Sequence, residues 1–278
     1  MSETEWQRLV RDAAPDDDVL GLVLTGGRGK GVSTPASDWD AVLVVADHAT
    51  DRWRRRPASG LDLTVLGATE FERYADPGTP FFWRAYDLVA LWPAVDRGGF
   101  GARLERKGRL SPEVAATMAD GEVDAALNQL YRATKNRRDG NDLACVLDLA
   151  EFPAPYLTAV FALEGRHRPY HKFLEWELRR QPLRLLSLPR DVLLSMLLQV
   201  VRGGEVEAAW LLVDGLGDAC RAAGVTTRLT AGPTISSACG RSGATDPAVI
   251  ATTGRVGRSR VLRRACRRPG ERPAPATS

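Results

Sequence analysis

Cysteine and histidine are scarce in this chain. Its 278 residues include four cysteines, Cys145, Cys220, Cys239 and Cys266, and three histidines, His48, His167 and His171. No two cysteines stand at the C-x-x-C spacing of a zinc or redox motif, so a structural zinc site is unsupported and reduced, unpaired thiols are expected. No uninterrupted apolar run approaches membrane-spanning length. The opening Met1-Ser-Glu-Thr-Glu-Trp is acidic and lacks the basic-then-apolar order of a secretory signal, which predicts a cytoplasmic protein. The phosphate loop GxxxxGK[ST] is absent and no G-x-G-x-x-G opens a helix, which sets aside the two commonest nucleotide-binding loops.

What is present suits a globular chain: 44% hydrophobic and 26% charged residues, in a length that allows one large domain or two modest ones. The net charge of +3 conceals an uneven distribution. Residues 226–278 hold ten arginines and no lysine against Asp246 and Glu271, a local charge of +8, so residues 1–225 carry −5. No aromatic residue follows Trp210, and Gly, Ser, Thr, Pro and Arg dominate the end of the chain. Such a segment buries too little apolar surface to offset its ordering entropy, so a disordered basic tail is expected. Its charge would suit nucleic acid or an acidic surface.

The apolar pattern divides the rest in two. Glu3–Ala14 fits a short amphipathic helix, and Val19–Thr25, Asp38–Val45 and Leu61–Leu66 read as strands. Together they form a sheet unit in the first hundred residues. Helical spacing then takes over in Ser111–Arg137, Asp142–Glu164, Pro169–Gln181, Asp191–Val201 and Val206–Ala223, as in a helical bundle. Trp83, Trp92 and Trp176 are read as core.

The stretch Leu24-Thr-Gly-Gly-Arg-Gly-Lys-Gly-Val-Ser-Thr-Pro-Ala-Ser-Asp-Trp-Asp40 carries the chemistry. Side chains alternate along a strand, so Asp38 and Asp40 are expected on one face with Trp39 on the other. Two adjacent carboxylates call for a positive partner, and magnesium, a hard cation that takes oxygen ligands, is the natural one beside phosphates. Asp62 occupies the same kind of position on the next strand, and three such carboxylates would hold two metal ions for in-line attack on phosphorus. Gly26 and Gly27 end the preceding strand where backbone N–H groups can face phosphate oxygens, with Arg28 and Lys30 adding positive charge.

These residues resemble the nucleotidyltransferase superfamily typified by DNA polymerase β, whose signature is a hydrophobic residue, Gly, then Gly or Ser, followed by Asp-x-Asp on a strand. Thr25, Gly26 and Gly27 stand at the first part, with Thr25 in the hydrophobic place, and Asp38-Trp39-Asp40 at the second; Ser37 fits the Ser-Asp-x-Asp form. A small catalytic domain followed by helices is similar to antibiotic nucleotidyltransferases of the kanamycin and lincosamide type. Looser similarity runs through Asn128–Asn136 and Phe161–Leu178, so that the resemblance covers about residues 18–215.

Composition sets off residues 226–278 as the disordered tail, outside the resemblance. The resemblance implies an α+β protein in which residues 1–105 would form a nucleotidyltransferase domain with a small mixed sheet and 106–225 a helical bundle. It further implies two magnesium ions on Asp38, Asp40 and Asp62. ATP or another nucleoside triphosphate would lie over Gly26, Gly27 and Arg28, and a small hydroxylated acceptor would take the nucleoside monophosphate as pyrophosphate leaves. Neither nucleic acid nor membrane is expected as a partner of that reaction. Asp124, Asn128, Tyr131 and Lys135 share a helical face; Asp124 is the candidate general base, with Glu122 as alternative, and Lys135 a candidate triphosphate ligand. His167, Arg168, Tyr170, His171 and Lys172 form a basic, aromatic cluster read as a surface loop or as a nucleotide or acceptor contact. Two other functions remain open: transfer of AMP onto protein or RNA, and silent nucleotide binding by a regulator.

Overall fold

A computed structural model describes residues 3–56 and 60–230 of the chain. The protein is α+β, and its contacts divide into two units. The first comprises the chain to Val114 together with Gly165–Tyr170; the second holds Ala115–Glu164 and the chain from His171 onward. The division therefore falls beyond residue 105, and a short later segment returns to the first unit. The segment expected to be a disordered tail lies, from residue 231 on, outside the described residues.

The first unit is built on a mixed sheet of four strands in the order β3-β2-β1-β4. Strand β1 (Val19–Leu24) runs antiparallel to β2 (Asp40–Val45) and to β4 (Pro93–Asp96), while β2 and β3 (Asp62–Gly67) are parallel. The central strands are buried on both faces, which explains why VLGLVL and AVLVV read as continuous apolar runs. One face packs Leu22, Leu43, Val45 and Val65 against Trp53 and Ala13. These last two come from α3 (Thr50–Arg54) and α1 (Glu3–Ala13). The other face packs Val23, Val42, Val44 and Leu66 against Phe71 of α4 (Ala68–Arg73) and Phe100 and Leu104 of α5 (Phe100–Lys107). A 3₁₀ segment, Phe82–Leu88, adds Ala85 and Leu88 to that face. Trp83 and Trp92, read as core from their size, are instead 64% and 76% exposed. Their neighbours Ala85, Tyr86 and Leu88 do the packing.

The second unit is helical. Its long helix α6 (Pro112–Arg138), whose first turn belongs to the first unit, buries Ala115, Ala119, Val123, Ala126, Leu130 and Ala133 along one narrow face. The stretch expected as one helix from Asp142 to Glu164 is two, α7 (Asp142–Glu151) and α8 (Pro153–Leu163), because Pro153 has no N–H to continue the ladder. Taken together, Asp142–Leu163 has the length and apolar character of a membrane span. Half of it is buried, and Cys145, Leu149, Phe152, Tyr156 and Phe161 fill this unit's core. The Pro169–Gln181 helix shortens to α9 (Leu174–Arg180), followed by α10 (Arg190–Gly203) and α11 (Val206–Ala223). Cys145 and Cys220 are free, buried thiols.

Candidate active site

The end of β1 is tied to the start of β2 by the Thr25 N–H, which donates to Asp40 O at 2.9 Å. From there the chain makes one helical turn, α2 (Gly26–Gly29), at the glycine-rich turn expected after β1. Gly26 has φ +58°, and a Cβ built on it would lie 2.6 Å from Asp40 Oδ2. The Asp40 carboxylate therefore rests against a backbone that only glycine leaves open. Gly29 is also required, since its Cβ would fall 2.2 Å from Leu24 O. Gly27 is not: the nearest atoms to its added Cβ are at 3.6 Å, ordinary contact. Gly26→Ala is thus expected to cost about 1–2 kcal/mol from backbone strain and to displace the Asp40 carboxylate, while Gly27→Ala keeps wild-type stability. Urea unfolding midpoints of the two variants check this; equal midpoints would remove the argument for Gly26.

Asp40 opens β2 and pairs in register with Asp62, the first residue of β3. Residues opposite one another in a parallel ladder project to the same face, so both carboxylates leave the sheet on the side of Val42, Val44 and Leu66. The Asp62 N–H donates to Trp39 O at 2.9 Å and carries the ladder one residue further back. Asp38 precedes the strand, which corrects the expectation that β2 begins there, and its position cannot be inferred from strand alternation. It nevertheless lines an open cavity of about 400 Å³ with Asp62, Arg28, Ser37, Trp39 and Gly60. The structure thus joins the predicted residues pairwise: Gly26 with Asp40, Asp40 with Asp62, Asp62 with Asp38. Among the described residues no three His, Cys, Asp or Glu side chains converge as a metal cluster. Asp40 and Asp62 by themselves offer two hard oxygen donors from adjacent strands, the kind of ligand a hard divalent cation takes.

The two basic residues of the turn are placed differently from one another. Arg28 lies with its guanidinium carbon 4.1 Å from the Trp39 ring centroid and donates to Ser37 O at 2.9 and 3.2 Å and to Asp38 O at 3.1 Å. It braces the loop that carries Asp38 and forms one edge of the cavity. Lys30, expected to add positive charge beside the glycines, is 5% exposed. Its ammonium donates to Tyr86 O, Asp87 O and Val89 O at 3.2, 3.4 and 2.6 Å and lies over the Tyr86 ring. It holds the 3₁₀ segment to the turn.

That segment supplies residues which sequence reading passed over. Arg84 Nη1 donates to Thr64 Oγ1 at 3.4 Å, and Thr64 shares its face of β3 with Asp62. Asp87 Oδ2 accepts from Tyr170 Oη at 3.0 Å. Burial pushes the Asp87 carboxyl above its ordinary range, against the pull of Tyr170, Arg84 and Lys30. Burial also raises the Tyr170 hydroxyl, with the Asp87 charge adding to the effect. In the sequence, Arg84-Ala-Tyr-Asp87 has no periodicity to mark it, and Tyr170 stands 83 residues away from its partner.

The cluster around Tyr170 is divided by the fold. His167 is buried in the first unit, with Nε2 3.0 Å from Lys107 O and its ring edge-on to Phe82; burial lowers its affinity for a proton. His171 and Lys172 belong to the second unit. Asp124 and Lys135 lie there too. Asp124 Oδ1 is 3.0 Å from Arg228 Nε in an ion pair, and Lys135 Nζ lies 5.5 Å from the Tyr131 ring centroid on an exposed face with Asn128.

No family model matches the chain, and no curated protein matches it. Among solved structures it is similar to a nucleotidyltransferase-like protein from Exiguobacterium sibiricum. The identity is 13% and the TM-score 0.41, over 79% of this chain and 74% of that one.

Proposed function

We propose that this protein is a magnesium-dependent nucleotidyltransferase that moves a nucleoside monophosphate, AMP from ATP, onto a hydroxyl of a small-molecule acceptor. The observation that carries the reading is the in-register pairing of Asp40 with Asp62 beside Gly26, whose missing Cβ gives the Asp40 carboxylate its room. Asp38, Asp40 and Asp62 would hold magnesium ions, whose charge supplies the neutralisation that in-line attack at phosphorus requires. Gly26 and Gly27 would place backbone N–H groups against the phosphates, and Arg28 would guard the cavity edge. The acceptor oxygen bonds to the α-phosphorus, the bond to the bridging oxygen breaks, and pyrophosphate leaves; the hydroxyl proton passes to a base. Asp124 and Lys135, expected as base and triphosphate ligand, belong to the second unit, where Asp124 is ion-paired with Arg228. Most of the catalysis falls to positioning and charge, as in other phosphoryl transfers.

The test is incubation of purified protein with magnesium, α-labelled ATP and a panel of hydroxylated acceptors, following label transfer and pyrophosphate together. Asp38→Ala is expected to lower transfer about a hundredfold or more. Transfer by that variant at the wild-type rate, or no pyrophosphate with any acceptor, overturns the reading. Label found on protein or RNA would move the proposal to macromolecular AMP transfer.

A further inference from the structure

Arginines on this protein's surface commonly close on carboxylates at full hydrogen-bond range. Arg54 Nη2 reaches both oxygens of Glu70 at 2.9 and 2.7 Å, and Arg138 both oxygens of Asp139 at 2.7 and 3.1 Å. Several are looser, among them Arg103, whose buried Nε is also without a hydrogen-bond partner 3.6 Å from Glu72, and Arg84. The nearest carboxylate to Arg84, Asp87, is 3.6 Å from Nε, well beyond the length of a charge-assisted hydrogen bond. Nε itself is buried and has no hydrogen-bond partner. The contact of Nη1 with Thr64 Oγ1, at 3.4 Å, is at the edge of bonding range. The Tyr74 hydroxyl is a further hydrogen-bond partner of the guanidinium, whose carbon also lies 5.4 Å from the Trp83 ring centroid. A guanidinium carries five N–H donors in a planar fork; here they meet Thr64, Tyr74 and Asp87 and leave Nε without a partner, although three quarters of the side chain is out of water. Leaving such donors unsatisfied is costly unless something else takes them.

Two features say what that something is. The first is position: Thr64 lies two residues after Asp62 on the same face of β3, and Asp62 pairs with Asp40. Arg84 is therefore a cation on the sheet face from which the two carboxylates leave. The second is how Asp87, the ion-pair partner of the arginine, is itself fixed. The Asp87 oxygen that faces the arginine, Oδ2, already accepts from Tyr170 Oη, which also reaches Trp83 O at 3.1 Å. Lys30 fixes the backbone of the same segment through the carbonyls of Tyr86, Asp87 and Val89. The fork is thus fixed from behind, with Nε without a partner.

We propose that Arg84 binds the non-bridging phosphate oxygens of the nucleotide's polyphosphate chain, with Asp87 and Tyr170 as its positioning residues. The ligand class rests on the nucleotidyltransferase reading; the anion site itself rests on the geometry of Arg84. Planar, bidentate recognition of phosphate is the task for which a guanidinium is better shaped than an ammonium. Arg84 would then gather the charge that departs with pyrophosphate, opposite the carboxylates.

Binding of magnesium pyrophosphate, magnesium ATP and adenosine by calorimetry tests this on wild type, Arg84→Ala, Arg84→Lys and Asp87→Asn. Arg84→Ala is expected to weaken pyrophosphate and ATP about tenfold to a hundredfold, the loss of one or two charged hydrogen bonds, and to leave adenosine unchanged. Free guanidinium at millimolar concentration should restore part of the lost pyrophosphate affinity, which a merely structural role would not allow. Asp87→Asn should weaken both phosphate ligands less than Arg84→Ala does. Folded Arg84→Ala that binds pyrophosphate as wild type overturns the proposal; should that variant fail to fold, undiminished affinity in Arg84→Lys does so. The two readings separate cleanly. Transfer that depends on Asp38 with an indifferent Arg84 removes only this inference. Pyrophosphate binding that depends on Arg84, in a protein that transfers nothing, removes only the enzyme.

Discussion

Asp40→Asn is expected to lower nucleotidyl transfer about a thousandfold while the fold survives. The amide keeps the shape of the carboxylate and removes its charge, and the contacts that set the backbone are untouched: Asp40 O still accepts from Thr25 N–H and β2 still pairs with β3. What changes is the donor set for a hard cation, because a neutral amide oxygen binds it far more weakly than a carboxylate. The size follows from what single groups that stabilise charge at the transition state contribute, about 10²–10³-fold each. Asp62→Asn is expected to cost less, since Asp62 is more exposed and stands at the cavity rim. The double variant should be hardly worse than Asp40→Asn, because two ligands of one site act as a unit. Initial rates of pyrophosphate release, with thermal melting as the folding control, decide the matter. An Asp40→Asn protein that keeps a tenth of its activity would take the site apart.

How far such a site can be read from sequence depends on whether its signal is local. Gly26 and Asp40 lie in one stretch whose apolar runs fix two central strands, so their meeting follows once those strands pair. The register that sets Asp62 beside Asp40 is consistent with both residues preceding an apolar run, and the parallel pairing then aligns the runs. Asp38 shows the limit. Alternation is the same one residue inside a strand as outside it, and the ladder starts only at Asp40. Strand β4 is not legible because Pro93 opens it at a sheet edge, where a missing N–H is tolerated but the apolar signal is short. In the helical unit α11 is legible to the residue, since its apolar spacing is regular, whereas Pro153 splits what periodicity alone joins. The Arg84, Asp87 and Tyr170 group is illegible for a different reason: its members come from two distant segments and pack through polar atoms, for which no spacing rule exists. Trp83 and Trp92 mislead in the opposite sense, large apolar side chains that the fold leaves in water.

Lys30 is the residue on which sequence and structure differ most, and Lys30→Met is expected to destabilise the first unit by about 3 kcal/mol, the usual scale for removing one partner from a buried charged cluster. In a basic, glycine-rich loop a lysine reads as solvated; here three carbonyls of the 3₁₀ segment take its ammonium out of water. Methionine fills a similar volume, so the loss is one of hydrogen bonds and charge, with no cavity term. Part of that loss should depend on pH, and the sign can be worked out. Asp87 sits above its ordinary 3.8 because burial disfavours its charged form, and Lys30 is one of the charges that pull it back. Removing Lys30 lets the carboxyl rise further. An acid whose folded pKa lies above its unfolded one costs stability wherever it is ionised in the folded state, and that cost fades as pH falls through the folded pKa toward 3.8. The deficit of Lys30→Met, measured as urea midpoints at constant m-value, is therefore expected to be largest at neutral pH and to shrink on acidification. A deficit constant across that range would place all of it on the three carbonyls. One near zero throughout would mean that the 3₁₀ segment, with Arg84 and Asp87 on it, is held to the sheet by its apolar contacts alone.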